Sequence, residues 1–252
     1  MKKLLVTGAA LAAGGALTAG YLYGSMASTS PFFGKALIAG PETTPATPTL
    51  ALTYDDGPST RNTPALLDLL AEHNVRATFF MMGDHVRRHT ALARRVVAAG
   101  HVIGNHTVTH PNLAQCLPGR VRNELGGCQR IMQDLLGVSP VLFRPPYGAR
   151  RPDVVRTARR MGLTPVLWNA VAQDWLDIGA DAMLFNVDRG LTANRSAGRA
   201  STVLMHDGSQ LDGSAPVSRA DTLSVTRTLL RRGTYRFTTP LEWISAVPVK
   251  LA

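Results

Sequence analysis

From residue 49 onward, short apolar runs alternate with amphipathic stretches, and this alternation constrains the fold more than any other feature. The strand-like runs cover residues 49–54, 75–82, 101–104, 141–143, 163–168, 202–205 and 235–238. Helical signals lie between most of them. Thr63-Pro64 reads as an N-cap with proline at the first helical position, leading into Leu66, Leu67 and Leu70. Pro152 opens another helix and Gly162 closes it. Residues 120–136 and 218–232 carry apolar side chains at helical spacing. About seven strands alternating with helices predict an α/β fold with a parallel sheet, closed as a barrel. A doubly wound open sheet shares the same alternation.

The polar residues are distributed with a purpose. Asp55 and Asp56 follow the first run, in Thr53-Tyr54-Asp55-Asp56-Gly57-Pro58. His106 and His110 follow the third, Arg144 the fourth, Asp174 and Trp175 the fifth, and His206 ends the sixth. All fall at carboxyl ends of strands, the face on which such barrels carry chemistry. An adjacent Asp-Asp pair alone is more often a solvated turn. The spacing of His106 and His110 adds weight, because on a helical turn it places both imidazoles on one face. Two imidazoles and one carboxylate with an open fourth position is the donor pattern of a catalytic zinc.

In chain order, Thr53–Pro58, His106-Thr107-Val108-Thr109-His110, Arg144-Pro145-Pro146-Tyr147-Gly148, Asp174-Trp175 and Leu204-Met205-His206-Asp207 resemble the motifs of the polysaccharide deacetylases (the NodB-homology domain, carbohydrate esterase family 4). The resemblance spans residues 49–248. It implies a distorted (β/α) barrel with about seven parallel strands in a single catalytic domain. It also implies metal-dependent hydrolysis of acetyl groups on sugars. Carried over by position, Asp56, His106 and His110 would bind a divalent metal, most simply Zn2+, with Co2+ or another divalent ion as alternatives. Asp55 would be the general base, His206 the general acid, and Arg144 the group that holds the base. Tyr147 would offer its backbone N–H to an oxyanion, while Trp175 and Leu204 would wall the acetyl pocket.

One position departs from the family pattern. The fourth motif usually begins with an acid that pairs with the arginine, and here that place holds Val171. Arg144 then balances its charge on Asp55, or borrows Asp174 or Asp177. The remaining histidines read plainly: His73, His85 and His89 as surface groups, His101 as structural.

Composition bounds the setting. Lys2 and Lys3 precede a charge-free run over residues 4–22, and Ser25-Met26-Ala27 supplies small residues at signal-peptidase spacing. Residues 1–27 therefore read as a secretory signal peptide, with an uncleaved anchor as the alternative. Residues 28–48, rich in Pro and Thr, read as a linker. The net charge of +10 is carried mostly by arginine. In an exported chain it favours an anionic cell wall over nucleic acid, or reflects a solvated surface. Cys116 and Cys128 match no zinc spacing and leave a disulfide or two buried thiols open. The expected protein is an exported, monomeric enzyme, secreted or anchored, acting on an acetylated polysaccharide. N-deacetylation of N-acetylglucosamine units comes first and O-deacetylation of acetylxylan second. A non-catalytic glycan-binding relative is the rival reading. A phosphoryl-transfer enzyme built on the Asp55-Asp56-Gly57 turn would leave the histidines without work.

Overall fold

The structure, a computed structural model, describes residues 20–21, 24–30, 33–41, 48–210 and 217–246. Most of the predicted leader and the Pro/Thr-rich residues 42–47 lie outside them. Among the described residues, eight strands form one sheet: β1 Thr49–Asp55, β2 Thr78–Met81, β3 Val102–Asn105, β4 Leu142–Phe143, β5 Thr164–Pro165, β6 Ala170–Val171, β7 Ser201–His206 and β8 Arg236–Thr238. The order is β5-β4-β3-β2-β1-β7-β6, and β8 pairs the first half of β1. Every pairing is parallel. The curled sheet stays unpaired between β5 and β6, so it is a distorted barrel with a seam. β6 is the strand that the sequence reading missed. Its two residues are too short a run to show periodicity.

Among the described residues, helices flank the strands: α1 Thr63–Glu72, α2 Gly83–Arg88, α3 Thr90–Ala98, α4 Pro118–Leu136, α5 Pro152–Arg160, α6 Gly179–Ser196, α7 Ala220–Arg231 and α8 Pro240–Ala246. The caps differ in detail from expectation. Asn62, not Thr63, holds the N-cap position of α1, because the Thr63 hydroxyl is spent on the buried carboxylate of Asp207. Gly137 ends α4 with φ of 70°, and Gly162 follows α5 with φ of 75°, a conformation glycine adopts without a Cβ clash.

The period-2 alternation of β1 sorts its side chains. Leu50, Leu52 and Tyr54 face outward into the main core with Leu66, Leu70 and Phe79, beneath the helices. Ala51, Thr53 and Asp55 are left for the inside of the barrel. There Phe80, Val102, Leu142 and Val166 form a second cluster, closed below by Leu37, Leu241 and Ile244. Each fully buried Leu or Phe contributes about 1.5–3 kcal/mol. The polar upper interior is thus held by an apolar floor.

Leu37 belongs to the predicted linker, yet it is part of the barrel. It pairs in parallel with Val166, accepts from Leu167 N and donates to Pro165 O, both at 2.8 Å. It thereby covers the open edge of β5. Further back, the buried guanidinium of Arg150 gathers five carbonyls: Ala27, Ser28, Ser30 and Gly34 of this strap, and Gly148. The described residues 25–30 and 33–40 are therefore a docked strap, not a free tether. Its polar sequence hid this, because the contacts are made by its backbone. Cys116 and Cys128 are both buried and free. Arg150→Met should leave those carbonyls unpaired. The expected loss is about 2–4 kcal/mol in urea unfolding, with new proteolytic cuts near residues 28–35. Unchanged stability and an uncut strap would show that Arg150 does not hold it.

Candidate metal centre and active site

Asp55 is the last residue of β1 and points inward. Its neighbour Asp56 can point to the same rim only by leaving strand geometry, and it does so at φ 69°. The turn that follows packs directly on the end of β7. A Cβ on Gly57 would lie 2.3 Å from Asp207 Oδ2, and one on Gly208 would lie 2.1 Å from Asp56 O. Both positions require glycine for this close approach. His85, expected at the surface, is fully buried under the turn, its Nδ1 2.8 Å from Asp56 O.

His106 and His110 lie on an irregular loop after β3, not on a helical turn. Thr107 and His110 take left-handed φ of 68° and 59°. Side chains hold the loop in this form. Asn105 Oδ1 accepts from Thr107 N, and Thr107 Oγ1 accepts from His110 N. Glu124, on the buried stripe of α4, accepts from Val108 N, Thr109 N and the Thr109 hydroxyl.

The two rings converge. His106 Nε2 and His110 Nε2 lie 3.2 and 3.1 Å from Asp56 Oδ1. On their far sides, Nδ1 of His106 meets Arg144 O at 2.7 Å and Nδ1 of His110 meets Gln210 Oε1 at 2.8 Å. Those acceptors keep the ring protons on Nδ1, so each Nε2 presents a lone pair. Asp56 Oδ1 is itself buried without a hydrogen bond. Three lone pairs aimed at one point fit a cation, and ligand atoms of the three residues lie within 4.8 Å of one another. A proton competes for the same point. Burial opposes the charge on His110, but Asp56 outweighs it and raises the imidazole above its ordinary value. Burial likewise opposes ionisation of Asp56, and the two histidines carry it well below the usual carboxylate range.

Two further pairs flank this centre. Arg144 Nη1 donates at 2.8 Å to both Asp55 Oδ1 and Thr53 Oγ1. Its Nε and Nη2 reach Val166 O and Leu167 O, and its guanidinium carbon stands 4.2 Å over the ring of Phe80. On the other side, His206 Nδ1 meets Asp174 Oδ1 at 2.7 Å, while Asp174 Oδ2 accepts from His206 N and the Thr222 hydroxyl. Burial pushes the His206 imidazole down, but Asp174 overcomes this and lifts it to about 9. Asp174 is therefore committed to His206, and Asp177 is exposed. Neither replaces the acid missing at Val171. Arg144 keeps one anion, Asp55, and its other hydrogen bonds run to two carbonyls and the Thr53 hydroxyl.

Residues 42–166 match the family model described as "Polysaccharide deacetylase". The chain is 40% identical over 157 residues to a chitooligosaccharide deacetylase of Rhizobium leguminosarum bv. trifolii, covering 62% of this chain and 70% of that protein. It is 38% identical over 167 residues to a peptidoglycan-N-acetylglucosamine deacetylase of Bacillus cereus, covering 66% of this chain and 58% of the relative. A solved peptidoglycan N-acetylglucosamine deacetylase, in complex with 4-naphthalen-1-yl-N-oxidanyl-benzamide, superposes with TM-score 0.70 at 33% identity over 82% of this chain and 92% of that one. The chain belongs to the polysaccharide deacetylase family.

In this deacetylase fold the other expected residues also reach the rim. Tyr147, at φ 59° in the turn after β4, is part-exposed and stacks edge-on to His110 with centroids 4.7 Å apart. Trp175 is half exposed and meets His206 edge-on at 5.6 Å. Leu204 is buried on β7 beside Thr53. Sequence reasoning missed Glu124, Gln210, His85 and Asp207 as supports of this site. Only Glu124 left a trace, as an acid on the apolar stripe of α4. Asp207 is buried, accepts from Thr63 Oγ1 through Oδ2, and has Oδ1 unpaired. Burial, with the charges of Asp56 and Asp55, lifts its carboxyl to about 7.

Asp174→Asn should remove the anion that opposes the burial of His206. The imidazole pKa, followed by NMR, should fall from about 9 to below the ordinary imidazole value. A value that stays near 9 would show that Asp174 is not what holds the proton.

Proposed function

We propose that this protein is a divalent-metal-dependent deacetylase that removes N-acetyl groups from N-acetylglucosamine units of an exported glycan of the cell-wall or chitin type. The observation that carries the reading is the buried Asp56–His106–His110 convergence, with a carboxylate held by Arg144 on one flank and an imidazole paired with Asp174 on the other. Zinc is the ion that two imidazoles and one carboxylate suit best. When bound, it would polarise the acetyl carbonyl and acidify a water at the site.

The chain's own residues supply the rest. Asp55 has one oxygen fixed by Arg144, and its Oδ2 faces the centre, 3.9 Å from His106 Nε2. That oxygen takes the proton as water adds to the carbonyl carbon. The Tyr147 backbone N–H is the donor assigned to the oxyanion. An amide nitrogen cannot leave as an anion. His206, protonated at neutral pH through Asp174, gives it a proton as the C–N bond breaks. Acetate and a free amine result, and the proton on Asp55 returns through solvent to His206. Trp175 and Leu204 flank the space for the acetyl methyl. The charge-free run over residues 4–22, read as an export leader, supports the reading too, because such a polymer lies outside the cytoplasm.

Acetate release from acetylated chitooligosaccharide or peptidoglycan should stop with a chelator and return with Zn2+. Release that is indifferent to the chelator would sink the proposal. His106→Ala should abolish release and metal binding while the domain stays folded.

The proton carriers separate by substrate. Asp55→Asn should still bind metal and lose at least about 10²-fold in turnover. His206→Ala should slow amides far more than activated aryl esters, whose leaving groups need no proton. Equal losses on both would remove His206 from the acid role.

A further inference from the structure

We propose that Gln210 couples the metal centre to the oxyanion donor, one carbonyl oxygen setting the tautomer of His110 and fixing the turn of Tyr147 together. Gln210 Oε1 meets His110 Nδ1 at 2.8 Å and accepts from the Tyr147 hydroxyl at 2.5 Å. A side-chain carbonyl has two lone pairs, and both are used. The orientation of this amide decides which edge of His110 is free. With Oε1 toward the ring, the proton sits on Nδ1 and Nε2 offers its lone pair to a cation. With the amide NH2 turned inward, Nδ1 would have to accept, and an Nε2–H would point at Asp56 Oδ1, 3.1 Å away. That state puts a proton where the metal belongs. The Tyr147 hydroxyl, donating to Oε1, holds the first orientation.

The contact joins distant parts of the rim. His110 follows β3, Tyr147 follows β4 and Gln210 follows β7, and β3, β2 and β1 lie between β4 and β7 in the sheet. Gln210 stands on a held base. Asp207 N and Gly208 N donate to Asp55 O, and Arg219 Nε and Nη2 donate to Gly208 O at 3.1 and 2.9 Å. The Tyr147 turn is braced from behind, where Met26 O of the strap lies 2.9 Å from the place a Cβ on Gly148 would take. Gln210 itself is exposed, so these two hydrogen bonds, not burial, hold its side chain. A cation on Nε2 fixes the His110 ring, the ring fixes Oε1, and Oε1 fixes Tyr147. The oxyanion half of this inference rests on the role given to Tyr147 in the proposed reaction, and the metal half does not.

Zinc affinity should be measured by competition with a chromophoric chelator, with folding of each variant checked by circular dichroism. Gln210→Leu should bind zinc about 10–100-fold more weakly, the usual cost of losing an outer partner of a ligating histidine. Tyr147→Phe keeps the ring and the backbone N–H, yet it should weaken zinc several-fold through Gln210. The double variant should be no weaker than Gln210→Leu alone, because both changes break one shared contact. Gln210→Glu, an acceptor only when ionised, should bind zinc at least as tightly as the unaltered chain. Its zinc-loaded form should keep the His110 Nδ1–H resonance in NMR, which Gln210→Leu should lose. At saturating zinc, Gln210→Leu should lower kcat on acetylated chitooligosaccharide with little change in KM. Unchanged zinc affinity in Gln210→Leu would overturn the proposal, as would losses from Gln210→Leu and Tyr147→Phe that simply add. The zinc readout needs no turnover, so failure of this coupling and failure of the deacetylase reading are separate results.

Discussion

The guanidinium of Arg144 is the hub of the barrel. It is fully buried, and it touches β1 through Thr53 and Asp55, the segment after β5 through Val166 O and Leu167 O, and β2 through the ring of Phe80. A seamed barrel cannot close its last gap with strand hydrogen bonds. A planar fork of donors inside it ties the open β5 end of the sheet to β1 and β2 in its middle. Burial lowers the Arg144 pKa, and Asp55 opposes that fall. The pair is mutually necessary, because removing either partner leaves a buried charge uncompensated, at about 3–5 kcal/mol. Structure and chemistry thus share one contact. The oxygen of Asp55 that Arg144 holds fixes the aim of the other.

Charge explains why the rest of the rim looks as it does. Asp55, Asp56, Asp174 and Asp207 crowd one end of the barrel, all buried. Arg144 answers Asp55, and His206 answers Asp174. Asp56 faces two imidazoles whose ring protons point elsewhere. Asp207 is left with a hydroxyl and an unpaired oxygen, and its carboxyl rises to about 7. A divalent cation on Asp56 would lower the repulsion felt by each of these acids, which is the linkage between metal binding and folding. The site is therefore built with a deficit of positive charge.

The legible part of the sequence was the part set by period and by chemistry-bearing side chains. Alternation in residues 49–54 gave β1, and the placement of Asp55, His106, Arg144 and His206 after strands gave the rim. What stayed hidden was set by backbone. The 106–110 loop has helical spacing but left-handed residues, because Glu124, distant in sequence, supplies acceptors for its amides. β6 is two residues long and pairs through Val203 and Leu204. The strap has linker composition, yet its carbonyls converge on Arg150. His85 looked solvated because Arg87 and Arg88 follow it, though it sits on the inner face of α2. Val171 raised the question of a replacement acid, and only geometry could show that Asp174 was already taken.

The backbone of the site is strained in a way the core is not. Among the described residues, six non-glycine residues have positive φ: Asp56, Asn74, Thr107, His110, Tyr147 and Gln173. Asn74 follows α1, where a short amide side chain tolerates the left-handed region. The other five are metal-centre residues, the tyrosine beside them, or immediate neighbours of His106 and Asp174. Each costs on the order of 1–2 kcal/mol, with β-branched Thr107 at the upper end. Such strain persists only where surrounding contacts over-determine it. Here they do: Gly57 against Gly208, Glu124 across the 108–109 amides, Gln210 on His110, and the strap against Gly148. The apolar floor of Phe80, Val102, Leu142 and Val166 supplies the stability that offsets this cost. Relaxing any one of these turns would favour folding while it moved a ligand or a donor off its aim.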